Sequence, residues 1–166
     1  MDESLAFDGG LPPGSVGGKR RRILDQLKRN LRHHPGTAAV RFEESGTGTD
    51  WRLVTDLALS VLLNENPPVN DAELYVNWWP HPDPTPDQFK IHYVESSGFD
   101  CGWHRQENDH VAGLDHYQER HPSDAEYTYE PADFDHENPV GILWETLDEK
   151  LLPRLRRRVE SSRPHE

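Results

Sequence analysis

The stretch from Cys101 to His121 concentrates the side chains of this chain that could do chemistry. It contains four histidines, and imidazole is the side chain whose charge changes near neutral pH. A guanidinium can stabilise a pentacoordinate phosphorane while two imidazoles move protons, so an Arg/His cluster suits metal-independent cleavage of RNA. The segment supplies the candidate catalytic residues Arg105, His110, His116, Asn108 and His104.

The spacing of these histidines disfavours other chemistries. His104, His110 and His116 lie six residues apart, which is neither the i, i+4 pair of a helical zinc motif nor an H-x-H pair, so no metal is expected. The chain has no phosphate loop, nucleophile elbow, paired-cysteine site or dinucleotide fingerprint, so no cofactor is expected either. A His-ligated metal and a purely structural histidine-rich loop remain alternatives. Cys101 is predicted to be a buried core side chain.

The composition indicates one acidic domain. The chain has 166 residues and a net charge of −12, with 33% hydrophobic and 29% charged residues. Only four of its eighteen basic residues are lysines. A surface rich in Asp and Glu and poor in lysine fits a protein that stays hydrated in concentrated salt, so we expect a halophilic source. An acidic mesophilic protein is the alternative.

Charge is also segregated along the chain. Residues 1–35 carry a net charge of +3, residues 36–149 of −19 and residues 150–166 of +4. Basic ends around an acidic body suggest that the ends either dock onto the body or contact a polyanion. The chain has one cysteine, no apolar run of membrane-spanning length and no apolar signal core. We therefore expect a cytoplasmic protein with no membrane partner.

Apolar periodicity and Gly/Pro turns predict an α+β fold. We expect a four- to five-stranded antiparallel meander sheet with the N- and C-terminal helices packed on one face. Three strands, at 72–79, 88–95 and 99–104, follow one another closely enough to form the meander.

The predicted organisation is one domain between two tails. A disordered leader covers 1–17, the domain covers 18–160 and a mobile tail covers 161–166. Within the domain the sequence predicts a basic helix at about 19–33, the sheet at about 37–104, a histidine-rich loop at 105–138 and a C-terminal helix at about 139–158.

Three features allow two interpretations each. The segment 51–63 reads as a strand, but its second half, 56–63, could equally be a short helix. Pro153 should kink the last helix or end it early. The basic helix at about 19–33 either lies over the domain with a solvated face or contacts nucleic acid.

Residues 72–158 resemble a family of small proteins of halophilic archaea. The family motif reads C-x-W-D-R-H-x-N-x-H followed by H-x-H, and this chain has C-G-W-H-R-Q-E-N-D-H followed by H-Y-Q. His104 stands where the family has Asp, and Gln106 and Gln118 stand where it has His. The order of elements is also distantly similar to the TumE family of toxin–antitoxin proteins. That resemblance implies an RNA-directed activity and an antitoxin-like protein partner that binds DNA.

Two functional hypotheses follow. The first is a toxin-like component of a toxin–antitoxin system that acts on RNA through Arg105, His110 and His116. The second is a non-enzymatic interaction or regulatory protein that binds a protein or nucleic-acid partner through its acidic sheet domain or its basic helix. The replaced imidazoles and the basic ends motivate the second hypothesis.

Overall fold

The computed structural model describes residues 16–44, 51–69 and 71–164. Its helices are α1 (Val16–His33), α2 (Leu59–Leu63), α3 (Pro139–Trp144) and α4 (Leu152–Ser162), and a π-helical segment, Glu145–Leu151, joins α3 to α4. Its strands are β1 (Thr37–Glu44), β2 (Trp51–Ala58), β3 (Asp71–Trp79), β4 (Gln88–Glu95), β5 (Asp100–Arg105), β6 (Asp115–Arg120) and β7 (Thr128–Pro131).

The strands form one antiparallel sheet in which each strand pairs with the next along the chain. The α+β class and the antiparallel meander are as predicted, but the sheet has seven strands, not four to five. The additional strands, β6 and β7, lie inside 105–138, which the sequence predicts to be a loop. Only Tyr117 is hydrophobic in the D-H-Y-Q-E-R of β6, and β7 is four residues long. Neither strand therefore shows the apolar alternation by which strands are recognised.

The core lies between one face of the sheet and the helices. Leu24, Leu27 and Leu31 of α1 are fully buried against it, and each contributes about 1.5–3 kcal/mol by leaving water. The segment from α3 to α4 adds the buried side chains Ile142, Leu143, Leu147, Leu151 and Leu155. The sheet face that meets these helices carries its largest apolar side chains, including Trp78, Phe89 and Trp103.

Arg20 fixes α1 to one end of the sheet. It is buried, and its Nε donates to the carbonyl of Trp78 at 2.8 Å. Its Nη2 donates to Oδ1 of Asn77 and to the carbonyl of Trp51, each at 2.6 Å. Arg20 therefore helps to hold α1 on the sheet. Four other basic residues of α1 are exposed: Lys19, Arg22, Arg29 and Arg32.

The segment 51–63 contains both elements that its sequence allows. The strand β2 ends at Ala58 and the helix α2 follows directly. The residues after Ala58 therefore follow the helical alternative, since α2 buries Leu59 and Leu63 and leaves Val61 54% exposed.

Pro153 neither ends nor breaks the C-terminal helical region. It lies in the first turn of α4, directly after the π-helical segment. The N–H of Leu152 bonds to the carbonyl of Leu147, five residues back. Because proline lacks an N–H and its ring collides with the carbonyl four residues earlier, the wider π turn lets the chain continue to Ser162.

Parts of three predictions lie outside the described residues. The predicted leader 1–17 is described only from Val16, where α1 begins, and the predicted tail 161–166 only as far as residue 164. The sequence also predicts a turn at Gly46–Gly48, between the first strand and the segment that begins at Trp51, and this turn lies outside the described residues as well. Within the described residues, no helix is both long and apolar enough to cross a membrane.

Candidate functional site

Three histidines form a row on the sheet face opposite the helices. His92 lies on β4, His104 on β5 and His116 on β6. Side chains alternate along a strand, so the burial of Trp103 in the core places His104 on the other face. The register then sets His104 directly beside His116. The row is polar and yet well shielded, since His104 is 7% exposed and His116 is 1% exposed.

A hydrogen-bonded chain runs through the row from a carboxylate. Oδ1 of Asp100 lies 2.7 Å from Nε2 of His92, and Nδ1 of His92 lies 3.0 Å from Nε2 of His104. Arg120 donates to the second oxygen of Asp100, with Nη2 at 3.1 Å. We call Asp100, His92 and His104 the imidazole chain.

A glycine makes the contact between the two imidazoles possible. Gly102 pairs with His92 across the β4–β5 ladder. A Cβ at position 102 would lie 2.2 Å from Nδ1 of His92 and 3.0 Å from Nε2 of His104. The two bonded rings thus occupy the space that the side chain of any residue other than glycine would need at position 102.

Burial sets the charge state of the imidazoles. Burial, assisted by the neighbouring His92, His116 and Lys90, lowers the pKa of His104 to about 2. Burial also lowers the pKa of His92, although the hydrogen bond to Asp100 opposes this. Both rings are therefore neutral at neutral pH.

Asp100 is the charged end of the chain. Burial alone would raise its pKa, but hydrogen bonds from Tyr127 and His92 and the charge of Arg120 hold the pKa of this carboxyl below its usual value. Because an ionised carboxylate only accepts, Nε2 of His92 donates to it, and Nδ1 of His92 accepts from Nε2–H of His104. Nδ1 of His104 keeps its lone pair, and no residue within the described ranges bonds to it.

The far end of the row is held by aromatic rings and loop groups. Nε2 of His116 lies 3.3 Å from Oε1 of Gln118. His110 is exposed and stacks on Tyr129, with ring centroids 4.5 Å apart and an interplanar angle of 1°. Tyr129 in turn lies 6.2 Å from the ring of His116. His110 and His116 therefore flank one tyrosine.

The structure places Arg105 away from these histidines. Arg105 follows His104 on β5 and points to the opposite face, where its guanidinium lies 5.1 Å from the ring of the core residue Phe89. It forms two bonds with the carboxylate of Asp115, at 2.6 and 3.1 Å. The sequence-derived candidates His104, His110 and His116 come together, but Arg105 does not join them.

Asn108 has a local role in the turn that follows β5. Its Oδ1 accepts from the backbone N–H of His110 at 2.8 Å, and its carbonyl accepts from the N–H of Val111 at 3.2 Å. The Asn108 side chain thus shapes the loop that carries His110. Its relation to the imidazole chain is only through this loop.

A groove of about 370 Å³ opens above the imidazole chain. His92 and His104 line it together with cations, amides and rings: Arg52, Tyr75, Asn77, Trp79, Lys90, Gln118 and Tyr127. Lys90 pairs with His104 across the ladder and is exposed. The groove thus combines ring faces for stacking, amides for hydrogen bonding and a lysine beside the buried imidazoles.

Sequence reasoning missed His92, Asp100, Lys90 and Gly102. The signal for them is the short turn between two strands that the sequence does predict, at 88–95 and 99–104. A tight antiparallel hairpin there sets His92 opposite Gly102 and Lys90 opposite His104. The alternation of the two strands then puts all four residues on one face.

In the described part of the chain, one group of acidic side chains could hold a metal ion. It consists of Asp135, Glu145 and Glu149, whose ligand atoms lie within 4.8 Å of one another. Glu145 is 3% exposed, and its oxygens already accept from the N–H of Asp135 and from the N–H and Nδ1 of His136. This carboxylate therefore joins a loop to a helix.

Comparison with known proteins gave no relative: no family model, no curated protein and no solved structure matches this chain.

Proposed function

We propose that this protein acts on RNA by metal-independent acid–base chemistry at the imidazole chain. The observation that carries the proposal is the continuous hydrogen-bonded chain Asp100–His92–His104, whose two rings line the groove. Asp100 orients the ring of His92, and His92 orients the ring of His104. The lone pair on Nδ1 of His104 therefore points in a fixed direction.

His104 takes the role of proton acceptor. A neutral imidazole can accept the proton of a ribose 2′-hydroxyl at Nδ1 as that oxygen attacks the adjacent phosphorus. Burial and the nearby Lys90 oppose the positive charge that develops on His104, and the anionic phosphate held in the groove offsets them. The products are a 2′,3′-cyclic phosphate and a free 5′-hydroxyl.

One neighbouring group and the solvent complete the chemistry. The ammonium of Lys90, beside His104 in the ladder, supplies positive charge for the phosphorane. The leaving 5′-oxygen takes a proton from water, and His104 releases its proton to water when the products leave. His110, exposed and stacked on Tyr129, does not line the groove, and its role in proton transfer stays a prediction of the sequence. In the sequence-based hypothesis Arg105 supplies the positive charge, and this role stays a prediction.

The groove suits one unstacked nucleotide. Single-stranded RNA is recognised by stacking of its bases on aromatic side chains and by hydrogen bonds to base edges. Tyr75, Trp79 and Tyr127 offer rings, and Asn77 and Gln118 offer amides, within the same groove of about 370 Å³.

The test is cleavage of a labelled single-stranded RNA by the full chain in the presence of a chelator. We expect a 2′,3′-cyclic phosphate product, and loss of at least about a hundredfold in rate for His104→Gln and His92→Ala. His33→Gln, at an exposed histidine of α1, is the matched control and should keep the full rate. Arg105→Ala in the same series tests the role that the sequence predicts for Arg105. No cleavage by the wild-type chain, or equal rates for His104→Gln and the control, would contradict the proposal.

One observation favours the alternative of a non-enzymatic interaction protein. The exposed side of α1 carries Lys19, Arg22, Arg29 and Arg32, in a chain with a net charge of −12. Such a stripe can contact phosphates without any reaction. RNA binding that is lost in an Arg22→Ala/Arg29→Ala double variant, with no cleavage under any condition, would favour this function. An antitoxin-like protein partner stays a prediction of the sequence.

A further inference from the structure

A second cavity, of about 420 Å³, lies on the helical side of the sheet, between α4 and the end of β6. Three arginines of α4, Arg154, Arg157 and Arg158, line it together with His121 and Ser161. Glu119 is the one acidic residue in its lining. The lining therefore brings three guanidiniums together around one carboxylate in an acidic protein.

Two of the arginines are held rigidly by ring stacking and an ion pair. The guanidinium carbon of Arg158 lies 3.5 Å from the ring centroid of Phe99, and its Nη2 lies 2.5 Å from the buried carboxylate of Glu95. The guanidinium carbon of Arg154 lies 3.8 Å from the ring centroid of Tyr117, and its Nη2 bonds to Glu130 at 2.7 Å. A guanidinium has five N–H donors, so each ion pair leaves donors for a ligand.

The third arginine adds positive charge on the exposed side of the cavity. Arg157 is exposed, and it forms no ion pair within the described ranges. The ring of His121 is tilted against that of Phe99, with centroids 5.0 Å apart, and its Nε2 lies 3.7 Å from Oε2 of Glu119. Ser161 is exposed and lines the same space. The arrangement thus joins two fixed guanidiniums, one exposed guanidinium, an imidazole and a hydroxyl.

We propose that this cavity binds a phosphate monoester. Planar guanidinium forks match the oxygens of phosphate, and several arginines around one site are the arrangement by which proteins select a dianionic phosphate over a single carboxylate. The phosphate can belong to a small molecule or to the end of an RNA strand. The proposal does not rest on the imidazole chain, which lies on the other face of the sheet.

The experiment measures phosphate binding to the full chain by titration calorimetry at constant ionic strength, first with inorganic phosphate. We expect saturable binding that weakens by about tenfold or more in Arg157→Ala, since each charge-assisted bond contributes about 1.5 kcal/mol or more. The matched control is Arg156→Ala, at the neighbouring exposed arginine that does not line the cavity, and it should change the affinity by less than about twofold. Arg157 has no internal ion partner among the described residues, so we expect both variants to fold equally well, and equal melting temperatures would establish this.

A second titration identifies the source of the phosphate. If a 5′-phosphorylated RNA hexamer binds more tightly than its 5′-hydroxyl counterpart, and Arg157→Ala removes the difference, the site takes the end of an RNA strand. If the two hexamers bind equally while inorganic phosphate still binds, the site takes a small phosphate ester. No saturable phosphate binding, or equal weakening in Arg156→Ala and Arg157→Ala, would overturn the proposal. The two proposals fail independently, because the phosphate titration needs no cleavage and cleavage of a 5′-hydroxyl RNA needs no phosphate in this cavity.

Discussion

The behaviour of His104 follows from what surrounds a single ring. Its Nε2 is fixed by His92, which is fixed by Asp100, and burial keeps both rings neutral. An isolated surface histidine would titrate near its ordinary pKa and rotate freely. The cost of burying polar rings is offset because each bond in the chain is made with good geometry.

The low pKa of His104 makes the protein sensitive to acid. In the unfolded chain the ring titrates at about 6.5, whereas in the fold its pKa is about 2, so its stabilising contribution is complete above pH 6.5 and is lost as the pH falls below that value. We expect the free energy of unfolding to fall by about 2 kcal/mol between pH 7 and pH 5 from this group alone. Burial shifts the pKa of His92 in the same direction, whereas the hydrogen bond to Glu145 raises the pKa of His136 and acts in the opposite direction.

Urea unfolding at the two pH values checks this prediction. The control is His104→Gln, which cannot titrate, so its free energy of unfolding should depend on pH less steeply by about 2 kcal/mol over the same range. Equal pH dependence in the two proteins would show that His104 titrates normally in the fold.

The close approach at Gly102 gives a second prediction. Gly102→Ala inserts a Cβ 2.2 Å from Nδ1 of His92, so it should break the His92–His104 bond and lower the free energy of unfolding by about 2 kcal/mol or more. In a His92→Ala background the two contacts with the His92 ring are gone and only the 3.0 Å approach to Nε2 of His104 remains, so the same substitution should cost less. The measurement is a double-mutant cycle by urea unfolding, and additive effects would contradict the proposed contact.

At the scale of elements, the sequence predicts strands wherever large apolar side chains alternate. The bounds of β4 are as expected, because Phe89, Ile91 and Tyr93 all face the core. β6 and β7 were not predictable in this way, because Tyr117 is the one hydrophobic side chain that β6 packs into the core. Their polar residues take strand geometry because β5 offers an unpaired edge.

The candidate site was predictable only in part for the same reason. His104, His110 and His116 are recognisable as a cluster along the chain. His92 and Asp100 join the site through strand register, which is a property of pairs of strands and is absent from any local pattern. Arg105 shows the converse, because residues adjacent in sequence on a strand point to opposite faces.

The carboxylate of Glu145 holds the segment before α3 onto the helical layer, and it can be tested at this scale. Glu145→Gln keeps the shape but replaces one accepting oxygen by an NH₂ group that faces backbone N–H donors. We expect the free energy of unfolding to fall by about 2 kcal/mol. Glu149→Gln, an exposed member of the same acidic group, is the control and should leave it nearly unchanged. Equal effects of both substitutions on urea unfolding would mean that the internal bonds of Glu145 contribute nothing specific.

At the scale of the whole molecule, the net charge of −12 opposes folding at low salt. Exposed ion pairs such as those of Arg41 with Asp56 and Glu73 contribute less than about 1 kcal/mol each, so their loss on screening is outweighed by relief of the general repulsion. We therefore expect the melting temperature to rise as potassium chloride is raised from about 0.2 M to 2 M, where the screening length falls to a few ångströms. A constant or falling melting temperature over that range would argue against the expected adaptation to salt.

Asp100, His92 and His104 form one hydrogen-bonded chain with both rings neutral at neutral pH, and the proposed chemistry depends on this chain. Nitrogen-15 NMR of the imidazoles in the full chain measures this directly, since it reports the tautomer and the charge of each ring. We predict the Nε2–H tautomer for both His92 and His104, no titration of His104 between about pH 8 and pH 5, and titration of His92 below its ordinary pKa. A His104 ring that titrates near pH 6.5, or that carries its proton on Nδ1, would contradict the account.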